Sequence, residues 1–142
     1  MAAEAERESA LPLPHDLSPE LHIAHVARMW GLSQRVIRRW VRLQMLPGHQ
    51  RTPGHNGGAH WFQREDVEAF ARAAIYVSDV KPDMVIRYDA WHKGAPCLVD
   101  AIGDGVDGTG WRISGRPTAG GALGHTLPCS GDRIVLLVGG ER

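Results

Sequence analysis

No run of about 18 apolar residues occurs in the 142-residue chain, so nothing in it has the length and character of a membrane-crossing helix. Cysteine is scarce. Cys97 and Cys129 are too few for a disulfide framework, and free thiols in a reducing compartment are the expectation. The opening MAAEAERES is acidic and polar and lacks the basic-then-apolar layout of a secretory leader, which points to the cytoplasm. Net charge is also missing, because 16 Lys and Arg balance 16 Asp and Glu. With 43% hydrophobic residues, the chain escapes the low-hydrophobicity, high-charge signature of disorder. A nucleophile with a matching base is not evident around Ser114 or Ser130, so a binding protein without catalytic residues or cofactor is expected.

The most informative absence is local. Between Leu21 and Arg64 there is no Asp or Glu, whereas Arg28, Arg35, Arg38, Arg39, Arg42, Arg51 and Arg64 all fall in that stretch. Every cation there is Arg, whose planar fork suits phosphate oxygens and guanine edges. A zero average therefore hides a one-signed segment, the electrostatic footprint of a nucleic-acid surface.

Residues 1–17 carry Pro12 and Pro14 and no periodicity, and read as a mobile tail. Ser18, Pro19 and Glu20 look like a helix start: a capping hydroxyl, a first-position proline and an acid at the positive dipole end. That helix should stop at Gly31. Ser33 caps a second helix expected over 33–44. Its apolar stripe is Val36, Trp40 and Leu43, flanked by Ile37 and Val41, with the Arg residues on the other side. Pro53-Gly54 and Asn56-Gly57-Gly58 are turn signals within a polar stretch, 49–60, and Trp61-Phe62 reads as the returning strand of a hairpin. Asp66, Val67, Phe70 and Ala74 then mark a third helix over 64–74. Trp40 and Trp61 are expected to pack in the core.

The second half reads differently. Residues 84–88, 97–102, 111–114 and 133–138 look like short strands between Gly- and Pro-rich turns, with 79–83 as linker. The expected fold is α+β: a tail (1–17), a winged helix-turn-helix domain (18–78), and a small antiparallel β barrel or sandwich (79–142). That last part would serve dimerisation, a protein partner or a ligand, with Trp91 and Trp111 in its core or lining a pocket.

The segment HIAHVARMWGLSQRVIRRWVRLQMLP, followed by HWFQREDVEAF, resembles the DNA-binding domain of phage excisionases and MerR-type regulators. The marks are Ala24 and Ala27, Gly31-Leu32-Ser33, Val36 and Trp40, Leu46-Pro47, Trp61-Phe62, and Asp66-Val67 with Phe70. They span roughly residues 19–75. Such domains often have Gly two residues before the Leu-Pro pair, where this chain has Gln44; the wing here is longer, and no coiled-coil helix follows.

The resemblance implies a sequence-specific double-stranded DNA binder, a transcriptional regulator or an excisionase-like factor. The helix 33–44 would enter the major groove with Ser33, Gln34, Arg35 and Arg38 toward base edges. Gln suits adenine and Arg suits guanine. Arg39 and Arg42 would meet phosphates, and the wing 49–60, with Arg51 and His55, would reach the backbone or minor groove. Two rivals remain: a DNA-packaging subunit like the small terminase, and a protein-interaction module that kept the fold without DNA binding.

Other signals are weaker. GDGVDG at 103–108 matches a dinucleotide fingerprint, but the required helix does not follow, and a turn between strands is expected. His92, Cys97, His125 and Cys129 have a spacing that would hold zinc only if the strands brought them together. His49, His55 and His60 are expected to face DNA or solvent, and His22 and His25 have no partner set.

Overall fold

The structure, a computed structural model, describes residues 10–50, 60–104, 110–120 and 125–140. The chain is α+β, with three α-helices and two antiparallel sheets among the described residues. It divides into two compact units. One is Leu11–Arg72; the other comprises Ala10 and the described residues from Ala73 onward.

The first unit contains β1 (Glu20–His22), α1 (Ile23–Trp30), α2 (Gln34–Arg42), β2 (His49–Gln50), β3 (His60–Gln63) and α3 (Arg64–Ala73). Its sheet has the order β1-β3-β2. The expected helix start at Ser18 is not observed. The Ser18 hydroxyl donates to Asp16 at 2.6 Å, and the Ser18 N–H reaches the same carboxylate oxygen at 2.8 Å. Ser18 thus closes a local turn in place of capping a helix. The next residues extend, because Leu21 and Phe62 pair in register and are 2% and 0% exposed. Helix α1 begins only at Ile23, where Nδ1 of His22 accepts the Ala24 N–H at 3.0 Å.

Gly31 ends α1 in the left-handed conformation (φ 66°) that a side chain disfavours. Two residues later Ser33 caps α2, its hydroxyl accepting the Val36 N–H at 3.3 Å. The buried side of α2 is centred on Ile37 (0%) and Trp40 (2%), while Val36, Val41 and Leu43 are only half-buried. The stripe is therefore rotated from the one the spacing suggests. Trp30, Trp40 and Phe70, one from each helix, form a mutual cluster with centroid distances of 6.3, 5.5 and 4.8 Å. The expected tail contributes to this unit from Leu11, which is 4% exposed, and the Pro12 carbonyl accepts the Trp30 indole N–H at 3.0 Å.

The second unit is one six-stranded sheet in the order β4-β9-β5-β6-β7-β8. Its strands are β4 (Ala74–Tyr76), β5 (Val85–Arg87), β6 (Cys97–Asp104), β7 (Trp111–Pro117), β8 (His125–Cys129) and β9 (Ile134–Gly139). The expected barrel or sandwich is therefore corrected to a single open sheet. Its edges are managed separately: Ala10 N–H donates to the Ala74 carbonyl at 3.0 Å beside β4, and β8 carries Pro128, which has no N–H to offer. Register shifts near Val85/Ile86 and Val99/Ala101 mark irregular pairing.

The core of this unit gathers Ile75, Val77, Val80, Met84, Ile86, Trp91, Cys97, Val99, Ile113 and Val135. Val80 (4%) belongs to it, and Asp83 N–H bonds the Val99 carbonyl at 2.9 Å, so 79–83 is part of the packed unit and not a linker. Trp91 is 1% exposed, which makes it plain core, and Trp111 is half-buried at its border. A Cβ on Gly115 would meet the Leu98 carbonyl and the Trp91 ring, so only glycine admits this close approach.

Candidate nucleic-acid interface

Arg35, Arg38, Arg39 and Arg42 follow the i, i+3, i+4, i+7 spacing of one helical face and are all exposed. They lie opposite Ile37 and Trp40, whose burial orients the helix. Neither α1 nor α2 contains a carboxylate, so the row has no acid on its own helix or the preceding one to neutralise it. Arg28 is exposed in the last turn of α1.

Of the residues expected at base edges, three make local hydrogen bonds. Ser33 is occupied as the cap of α2. Gln34, one turn before Arg38, accepts a hydrogen bond from its guanidinium: Nη2 to Oε1 is 2.8 Å. Arg35 is exposed beside them. Arg64 does not join the open row. It is half-buried at the start of α3 and bonds Glu68 at 3.1 Å, and Glu68 also faces Arg72 at 3.4 Å. The acid-free stretch ends at the next residue, Glu65.

The strands β2 and β3 are antiparallel, with His49 opposite Trp61 and Gln50 opposite His60. This is the base of the expected wing; Arg51 and His55 lie outside the described residues. The histidines here do not simply face solvent. His49 is exposed but lies 3.1 Å from a Glu20 oxygen on β1. His60 is half-buried, and its Nδ1 is shielded from solvent without a hydrogen-bond partner. Burial, and then the nearby Arg38 charge, push the His60 ring below the ordinary histidine range, so it stays neutral. His22, which sequence spacing left without a role, caps α1 and meets Trp61 edge-on at 5.0 Å. Its place one residue before an amphipathic run was the available signal.

The remaining sequence signals resolve by register. Gly103 and Asp104 lie in β6, and Asp104 pairs with Trp111 in antiparallel β7; residues 105–109 lie outside the described residues. Among the described residues, the first element after the glycines is the strand β7 at Trp111, where a pyrophosphate would need a helix. Cys97 is opposite Pro117 and Cys129 opposite Trp111, six positions apart along β7, or about 20 Å. The four His and Cys residues therefore do not converge on one ion. Among the described residues, no group of three or more His, Cys, Asp or Glu side chains is placed to hold a metal. Burial raises both cysteine thiols, which keeps them protonated. No helix of the described residues is long and apolar enough to cross a membrane.

No family model, curated protein or solved structure matches this chain.

Proposed function

We propose that the unit Leu11–Arg72 is a winged helix-turn-helix that binds double-stranded DNA in a sequence-specific manner, with α2 in the major groove and the β2–β3 hairpin as the wing. The observation that carries this reading is the exposed row Arg35, Arg38, Arg39 and Arg42 on a helix whose opposite side is locked into an aromatic core. A short turn, Gly31 to Ser33, precedes that helix, and an antiparallel strand pair follows it. Gln34, Arg35 and Arg38 lie at its N-terminal half, where such helices meet base edges. Arg39 and Arg42 supply phosphate contacts, which position the protein without reading sequence. In this reading the protein is a transcriptional regulator or an excisionase-like factor, and the six-stranded sheet serves self-association or a partner.

The test is binding of the full chain to random and genomic duplex fragments over a salt series. The reading requires affinity that falls steeply with salt and enrichment of a defined site. Affinity insensitive to salt, or no enriched site, refutes it. A large multimer in solution that binds a packaging ATPase would favour the packaging alternative.

A further inference from the structure

Resting on the DNA-binding reading, we infer that Gln34 and Arg38 act as one unit that selects guanine and rejects adenine. The two side chains are joined by the 2.8 Å bond from Arg38 Nη2 to Gln34 Oε1. Adenine recognition by glutamine needs both ends of the amide: Oε1 accepts from the N6 amine and Nε2 donates to N7. Here Oε1 already accepts from Arg38. A second lone pair remains, but an N6 amine brought to it would meet the guanidinium donors head-on. Guanine offers only acceptors at that edge, O6 and N7. The coupled pair offers only donors: the remaining Arg38 N–H groups and the Gln34 Nε2 hydrogens.

The surroundings favour the same outcome. Arg38 is exposed and one helical turn from Gln34, on the face opposite the buried Ile37 and Trp40. His60, close enough to Arg38 to feel its charge, is held neutral and so does not repel it as a cation. The i, i+4 spacing lets the amide orient the guanidinium before DNA arrives, which lowers the ordering cost of a two-bond contact. Gln34 is thus a positioning residue for Arg38, in place of an independent adenine reader.

The experiment is selection from a randomised duplex library by the full chain and by Gln34→Ala and Arg38→Ala, followed by titrations on duplexes differing at one base pair. Both residues are on the helix surface, and circular dichroism checks that each variant is folded. The wild type should prefer guanine over adenine by roughly 5- to 150-fold at one position. Arg38→Ala should abolish that preference and, by freeing Oε1, move it toward adenine. Gln34→Ala should weaken the guanine preference without replacing it.

An adenine preference in the wild type that Gln34→Ala erases would overturn the inference, as would base preferences unchanged in Arg38→Ala. In both cases salt-sensitive, site-specific binding would persist and the DNA-binding reading would stand. Absence of any enriched site would remove both.

Discussion

Trp40 and Phe70 lie with ring centroids 4.8 Å apart and planes tilted by 38°, which ties the arginine-bearing helix α2 to α3. Trp30 packs on Phe70 at 5.5 Å and completes the contact from α1. Offset aromatic contacts of this kind hold relative orientation as well as area. Trp40→Ala should therefore destabilise the first unit by about 3–5 kcal/mol, seen as a lower urea midpoint. A loss below about 1 kcal/mol would show that the ring does not fill the core.

Gln44 has φ 60°, in the left-handed region just after α2. Its side chain therefore stands in a conformation that glycine adopts without penalty. Gln44→Gly should raise stability by about 0.5–1 kcal/mol, because relief of the side-chain penalty exceeds the added unfolded-state freedom. Thermal unfolding of the two proteins side by side reads this directly.

Arg39 and Arg42 are exposed on α2, and in the proposed binding mode they meet phosphates. Arg39→Ala and Arg42→Ala should each weaken binding to all duplexes alike and flatten the slope of log affinity against log salt by about 1. Arg35→Ala should instead relax discrimination at a base position. Fluorescence anisotropy over a salt series separates the two behaviours.

His60 is held neutral in the folded chain by burial and by Arg38. On acidification the unfolded chain takes up the proton first, near the ordinary histidine value of about 6.5. Stability should be full above that pH and decline as pH falls from it toward the lowered folded value. His60→Gln should remove this part of the decline, measured by denaturation at about pH 7.5 and about pH 5.5.

In most strands a Gly to Ala change is favourable or neutral. At Gly115 the sign should reverse, because the new methyl collides with the Leu98 carbonyl and the Trp91 ring. Gly115→Ala should cost about 1–3 kcal/mol in the unfolding of the second unit.

What could be read from the sequence was whatever local chemistry decides alone. Ser33 as a cap, Gly31 as a stop, and Phe70 within a helical repeat needed no distant partner, so α2, the end of α1 and most of α3 were visible. The segment 18–22 shows the limit. Ser-Pro-Glu is a good helix start by propensity, yet Leu21 is drawn into extension by Phe62, far along the chain. Likewise Ala74 continues the helical spacing of Phe70, but Ile75 pairs with Val135 and the backbone becomes strand. Strand β8 was hidden by Pro128, a strand breaker tolerated at an edge.

The arginine row was readable because an absence of acids is a property of the segment itself. The Gln34–Arg38 bond was available from i, i+4 spacing but looked like two separate readers. The neutral state of His60 was not available, since it depends on strand register and on burial that only the folded unit defines.

The sheet order has a consequence for synthesis. Strand β9 sits between β4 and β5, so two early strands are bridged by the last strand of the described sheet. On the ribosome, Ala74 and Ile86 have no lateral partner on that side until Leu136 and Leu137 emerge. The described strands and helices of the helical unit are all made by Ala73, so it can acquire its structure while the sheet is still open. During that interval the edges of β4 and β5 that β9 will cover stay unpaired, and the pairing of β9 is the step that ends the exposure.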